Sequence, residues 1–170
     1  MKTIKLATGE QALVDDEDFE RLSQFKWSHH PSHTGDKQGY AKRGAWIKET
    51  KKVKTVFMHH DVLGVDPTVV HIDHKNGIKL DNQKENLRAA TGTQNAGNSY
   101  WRNTPGRTSK FKGVHWRRRN KKWIAQMTRT RNGKMMSPYL GSFDSETEAA
   151  LAYNSAARRY FGQFAILNPA

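Results

Sequence analysis

Residues 111–160 read FKGVHWRRRNKKWIAQMTRTRNGKMMSPYLGSFDSETEAALAYNSAARRY. The pattern predicts three strands and a helix. Phe111 to Arg118 reads as a first strand and Lys122 to Thr130 as a second. Asn132-Gly133 is a favoured two-residue hairpin turn, because both positions need positive φ. Lys134 to Phe143 returns as a third strand, and Pro138 marks it as an edge or bulged strand, since proline cannot donate to a ladder. Ser145, with Glu148 three residues on, has the form of a capping box at a helix start. Ala149, Ala150, Ala152, Tyr153, Ala156, Ala157 and Tyr160 follow on that helix, with Gly162 closing it. So many alanines allow the helix close to the sheet. A three-stranded antiparallel sheet packed on one helix follows.

Alternation sorts the side chains of such a sheet. Val114, Trp116, Trp123, Ala125, Met127 and Leu140 are expected to face the helix. His115, Arg117, Arg119, Gln126, Thr128, Thr130, Ser137 and Tyr139 are expected to face outward, with Lys121 and Lys122 at the first turn. The run Arg117-Arg118-Arg119-Asn120-Lys121-Lys122 is compatible with a solvated hairpin tip. A sheet this small cannot bury both faces, though, so the uncovered face is left basic and suited to a nucleic-acid groove. Arg reads guanine edges and clamps phosphates, and Gln reads adenine.

Phe111-Lys112-Gly113-Val114, Trp123-Ile124-Ala125, Tyr139-Leu140-Gly141-Ser142-Phe143, Glu148 to Asn154, Ala156-Ala157 and Leu167-Asn168 carry a resemblance over residues 111–168. The segment resembles the apetala/ethylene-response-factor DNA-binding domain. The resemblance implies binding of the DNA major groove through the sheet. The first turn is one residue longer than the plant pattern, and the plant Glu and Arg of the second strand are Gln126 and Thr128 here, so the base sequence read is expected to differ.

Charge supports a polyanionic partner. The 170 residues hold 29 Lys/Arg against 16 Asp/Glu, a formal net charge of +13. Residues 1–96 carry 15 Lys/Arg against 13 Asp/Glu, while residues 97–170 carry 14 against 3. Such asymmetry suggests a near-neutral module followed by a basic one. The polar, Gly-, Pro- and Ser-containing stretch between them reads as a linker, 99–110. There is no cysteine, which excludes disulfides and thiolate zinc sites. No apolar run of about 18 residues predicts a membrane span, and no signal peptide is expected at Met1-Lys2-Thr3-Ile4-Lys5.

In the first module, Thr3 to Leu6 and Gln11 to Val14 read as short strands around Gly9. Asp15-Asp16-Glu17-Asp18 suits a helix N-terminus, with Phe19, Leu22 and Phe25 following at helical spacing. Tyr40 to Arg43 and Thr55 to Met58 read as strands, with Lys48 to Lys54 as a polar hairpin tip. His59 to Leu63 opens a helix, and Val69 to Asp73 is a β-branched run. His29, His30 and His33 form a small cluster without the spacing of a metal site.

Asp73-His74, Asn86-Leu87-Arg88 and Thr93-Gln94-Asn95 form the chemical constellation of this half. Singly, each has a plain reading: Asn-rich loops are usually turns, and an Asp-His pair is usually a surface hydrogen bond. Together they offer hard oxygen ligands suited to Mg²⁺ or Mn²⁺ (Asp73, Asn95), a neutral imidazole as base (His74) and an amide to orient it (Asn86). These residues, with the layout from Met58-His59-His60 to Asn98, resemble the HNH endonucleases of phage and intron homing type. The resemblance implies a ββα-metal module spanning 1–98, with its core motif at 58–98. Asp73 and Asn95 would hold one cation per active site, His74 would activate water and Asn86 would orient His74. Asn95, where His is frequent in the family, points away from zinc. His59 and His60 are candidate backbone contacts or, alternatively, packing histidines.

The fold class expected is α+β. The leading function is a site-specific, metal-dependent DNA endonuclease of homing type, acting on double-stranded DNA as a monomer that nicks, with a dimer or sequential nicking needed for a double-strand break. Its expected setting is the cytoplasm of a prokaryote or phage-infected host. The alternative is a sequence-specific DNA-binding regulator with an inactive nuclease module. A structural or RNA-packaging role would use the charge alone.

Overall fold

The computed structural model describes residues 1–31, 39–97, 106–131 and 134–170. They fall into two compact units, Met1–Ala90 and Thr91–Ala170.

The first unit begins with a hairpin, β1 (Lys2–Lys5) and β2 (Gln11–Val14). Helix α1 (Asp16–Ser23) follows with Asp16, Glu17 and Asp18 in its first turn, where carboxylates face the positive end of the helix dipole. It stops well before Trp27. The Trp27 ring is instead buried, its Nε1–H donating to the Leu22 carbonyl at 2.8 Å. A three-stranded antiparallel sheet comes next, formed by β3 (Ser28–His30), β4 (Tyr40–Ile47) and β5 (Lys52–Phe57). The hairpin tip is narrower than expected, because β4 and β5 stay paired as far as Ile47 and Lys52. Helix α2 (Met58–Leu63) ends at Gly64 in the left-handed region, φ 63°, where glycine carries no Cβ penalty. β6 (His71–His74) and β7 (Leu87–Ala90) pair antiparallel. Ile4, Leu6, Val14, Leu22, Trp27, Met58, Ile72 and Leu87 form much of one core.

Ion pairs tie the outer layer together. Asp61 of α2 accepts from Arg21 of α1 at 2.8 Å and from Arg43 of β4 at 2.7 Å. The Arg43 guanidinium also lies over the Phe25 ring, 4.0 Å from its centroid.

The second unit opens with α3 (Gly92–Gly97). Its sheet has the order β12-β9-β8, made of β8 (Val114–Arg117), β9 (Lys122–Gln126) and β12 (Tyr139–Phe143). The expected second and third strands each break in two. β10 (Arg129–Arg131) and β11 (Lys134–Met136) form a separate two-stranded ribbon. The break falls at Ser137 and Pro138, and Pro138 contributes only its carbonyl, which accepts from Met127 N–H at 3.2 Å. The expected turn at Asn132-Gly133 lies outside the described residues, as does His33.

Helix α4 (Glu146–Phe161) covers the sheet. Ala149, Ala150 and Ala157 are fully buried, so the helix backbone sits close. Gly113 is required by that closeness: its φ is +74° and a Cβ there would lie 2.2 Å from the Tyr153 ring. The cap differs from the expected box. Ser145 Oγ accepts from Thr147 N–H, the second helical residue, at 3.2 Å, and Glu146 is engaged by Ser109 Oγ at 2.7 Å. Two buried asparagines fasten the end of the chain: Asn168 N–H donates to Asn154 Oδ1 at 2.7 Å, and Asn154 Nδ2 to the Asn168 carbonyl at 2.9 Å. Asn168 also pairs both ways with the Lys112 backbone.

Candidate functional site

The residues expected to carry catalysis are held by structural contacts. Asp73 is 3% exposed and stands directly across the β6–β7 pair from Arg88. Arg88 Nε and one terminal nitrogen both approach Asp73 Oδ2 at 2.7 Å. One oxygen of the Asp73 carboxylate is thus engaged by a half-buried guanidinium. Asn95 lies on α3 and so belongs to the second unit, not the first. Among the described residues there is no group of three or more His, Cys, Asp or Glu that could hold a metal ion.

His74 is buried, and burial pulls its pKa down to about 4 against the opposing effects of the Asn82 side chain and the Asp73 charge. Asn86 does not orient it. The Asn86 carboxamide closes the loop instead, Oδ1 accepting from Asn76 N–H at 3.0 Å and Nδ2 donating to the Asp81 carbonyl at 2.8 Å. Asn76 in turn donates to Asp81 Oδ2 at 2.7 Å. The asparagines of this segment therefore serve the turn role that their chemistry favours.

His59 is 6% exposed, with its ring stacked on Phe57 at 5.6 Å and edge-on to His74 at 5.2 Å. Burial, with smaller effects from His74 and His60, pushes its pKa down to about 2. It is a neutral packing group. His60 is half-buried, lies within hydrogen-bonding distance of the Val70 carbonyl at 3.1 Å, and is also held below the usual range by burial. The expected backbone-contact role does not fit a pair this enclosed.

The second unit presents a different surface. Its strand register sets His115, Ile124 and Ser142 in one outward row and Arg117 beside Lys122 in the next. Trp116 and Trp123 pair on the opposite face, edge to face at 5.1 Å. The outward face is not bare along its whole length, because Ile124 at its centre is 1% exposed. Beside it, His115, Gln126 and Thr128 converge on an open groove of about 410 Å³, whose other wall is Gly106, Arg107 and Thr108. That wall is anchored: Thr108 Oγ1 accepts from Trp116 N–H at 2.8 Å, and Phe111 N–H donates to Ser109 Oγ at 3.0 Å.

The remaining expected contacts are dispersed. Arg119 and Lys121 lie in the exposed β8–β9 turn, Lys121 with φ +48°. Lys122 pairs with Asp144. Ser137 Oγ lies 3.3 Å from Thr128 Oγ1, and Tyr139 is 60% exposed. Thr130 lies in β10, and its side chain is outside the described residues. Arg107 and Thr108 escaped the sequence reading because they fell in the stretch taken as linker. Arg88 stands in the expected constellation, but its pairing with Asp73 follows only from the β6–β7 register.

No family model matches the chain. Part of it is similar to dehydration-responsive element-binding protein 2D of Arabidopsis thaliana, 35% identical over 91 residues, covering 54% of this chain and 37% of that protein. It is also similar to dehydration-responsive element-binding protein 2C of the same plant, 43% identical over 58 residues, covering 34% of this chain and 16% of that protein. The chain thus spans well under half the length of the curated relatives it matches. Both are named for binding, and neither for catalysis.

That similarity corrects the expectation of an HNH endonuclease: it falls to element-binding proteins, and nothing in it supports a nuclease, its metal or a phage setting. The fold is mixed α and β with antiparallel sheets and few helices, without support for a ββα-metal module. No helix among the described residues is long and apolar enough to cross a membrane.

Proposed function

We propose that this chain is a sequence-specific DNA-binding regulator that reads duplex DNA with the outward face of its β12-β9-β8 sheet. The observation that carries this reading is the groove where His115, Gln126 and Thr128 meet Arg107, on the half of the chain holding nearly all the excess positive charge. Gln126 offers a paired donor and acceptor suited to an adenine edge, and Arg117 a fork suited to guanine or phosphate. The similarity to element-binding proteins supports the same partner class.

Selection from a random duplex pool by the full-length chain tests the reading. A defined consensus is expected, and Gln126→Ala is expected to relax preference at one base position by about 1–3 kcal/mol. If the sheet makes about six phosphate contacts, affinity falls by about 10³ between 50 and 200 mM salt. A pool that yields no consensus would remove the sequence-specific reading.

A further inference from the structure

The first unit is nearly neutral as a whole, but its charge is not evenly placed. Residues 42–54 hold six Lys/Arg against the single acid Glu49. They form the far part of the β4–β5 ribbon and its turn. Arg43 is committed to Asp61. Lys48, Lys51, Lys52 and Lys54 are all exposed and make no salt bridge among the described residues, although Lys54 acts electrostatically on Asp66; Lys48 and Lys51 lie in the turn, while Lys52 and Lys54 stand in the rows of Ile47 and Ala45.

The same ribbon carries exposed apolar side chains. Trp46 is 64% exposed and Val53 is 67% exposed, and they stand directly opposite each other in the register. Gly44 precedes Trp46 on that face with Val53 Cγ1 against it, 2.9 Å from where a Cβ would be. Gly44 and Thr55 are exposed as well, so this end of the ribbon presents an uncovered face. A large exposed apolar pair beside unpaired cations is the informative departure from ordinary surface composition. Lysines alone would be a solvated tip.

We propose that the β4–β5 ribbon is a second DNA-contact element, with Trp46 and Val53 lying against the sugar and base edges of a groove, Lys48 and Lys51 of its turn on the flanking phosphates, and Lys52 and Lys54 on the ribbon's other face adding positive potential. The shape fits, because a two-stranded ribbon enters a major groove about 12 Å wide. The six paired rows from Lys42 to Ile47 make it about 20 Å long at about 3.4 Å per residue. The charge selects a polyanion, and the flat apolar pair suits a groove wall better than the flexible side chains of an acidic polypeptide. The contact is sequence-tolerant, as none of the four lysines presents a planar fork to a base. This inference rests on DNA as the partner but not on the sheet of the second unit.

The test compares two variants of the full-length chain with the unaltered protein on one selected duplex. The first is the quadruple K48Q/K51Q/K52Q/K54Q and the second is W46A. Each touched phosphate contributes about 0.9 to the slope of log affinity against log salt. With Lys48 and Lys51 on phosphates, the quadruple variant is therefore expected to flatten that slope by about 1.8 and to shorten the hydroxyl-radical footprint, with the selected consensus unchanged. W46A is expected to weaken binding about tenfold. Both sites are exposed, so thermal unfolding should match the unaltered protein and show that the fold is kept. Slopes, footprints and affinities equal to those of the unaltered protein would overturn the ribbon contact while leaving the sheet reading intact. Failure of the unaltered chain itself to bind any duplex would remove both. Loss of poly-glutamate binding in the quadruple variant, with duplex binding intact, would assign the ribbon to an acidic polypeptide and end the proposal.

Discussion

The two units solve the problem of buried polarity in opposite ways. The first buries Asp18, His59, Asp73, His74, Asp81, Asn82 and Asn86 and holds most of them with ion pairs and loop hydrogen bonds, such as Asp73 with Arg88 and Asn86 with Asp81, while His59 rests on ring contacts with Tyr40, Phe57 and His74. The second buries mainly apolar side chains and one asparagine pair, and leaves its charges mostly exposed, apart from Lys112, whose pKa burial pulls down to about 8. A residue that could be chemical is therefore ambiguous in the first unit and much less so in the second. In the first, a buried Asp or His is explained by its neighbours. In the second, the polar outward row has no structural duty comparable to that of the alanines beneath it.

The contrast can be broken at Arg88. Arg88→Leu removes the guanidinium that pairs with the buried Asp73 carboxylate, which is expected to cost the first unit about 3–5 kcal/mol and to leave the melting of the second unit unmoved. Calorimetry with separate transitions checks it. Replacing both Asp73 and Arg88 by leucines is expected to recover most of the loss, because no uncompensated charge remains.

The matching cut in the second unit is at Gly113. Gly113→Val forces a branched side chain into the Tyr153 ring at positive φ and is expected to cost about 2–4 kcal/mol, with urea unfolding of the first unit unchanged. Equal loss in both transitions would show that the units do not unfold separately.

A smaller and more graded difference should appear with pH. His59 and His74 are neutral when folded, with pKa values held down to about 2 and about 4 from 6.5. Unfolded, they take up protons near 6.5. Their contribution to stability is therefore complete above pH 6.5 and is lost as pH falls from 6.5 toward about 4, by about 1 kcal/mol per pH unit for each histidine. The second unit has His115 as its single histidine, half-buried at the groove. Denaturation midpoints followed from pH 7.5 to 4.5 should fall for the first unit and stay nearly level for the second.

Legibility followed the same division. The helix and sheet of the second unit were readable because Ala149 to Ala157 repeat with helical period and the strand residues alternate. The splitting of its strands at Pro138 was half visible, since proline announced a defect but not where the chain would pair again. Strand period alone sets Ile124 on the outward face, while its burial depends on long-range packing. In the first unit Asp73, His74 and Asn86 were each found, but their roles were not, because a role depends on partners. Arg88 sits in the motif itself, but only the cross-strand register of β6 and β7 reveals that it pairs with Asp73. Lys48 to Lys54 read as a polar hairpin tip, and nothing in the sequence signals that Trp46 beside them stays exposed.

The central claim is that the second unit's sheet reads DNA sequence through the groove lined by His115, Gln126 and Thr128. Its most direct measurement is the selected consensus of the full-length chain beside those of Gln126→Ala and Arg107→Ala. The expected result is one altered base position for Gln126→Ala, and for Arg107→Ala an unaltered consensus with a salt slope reduced by about 1. Identical consensus and affinity for all three proteins would contradict it.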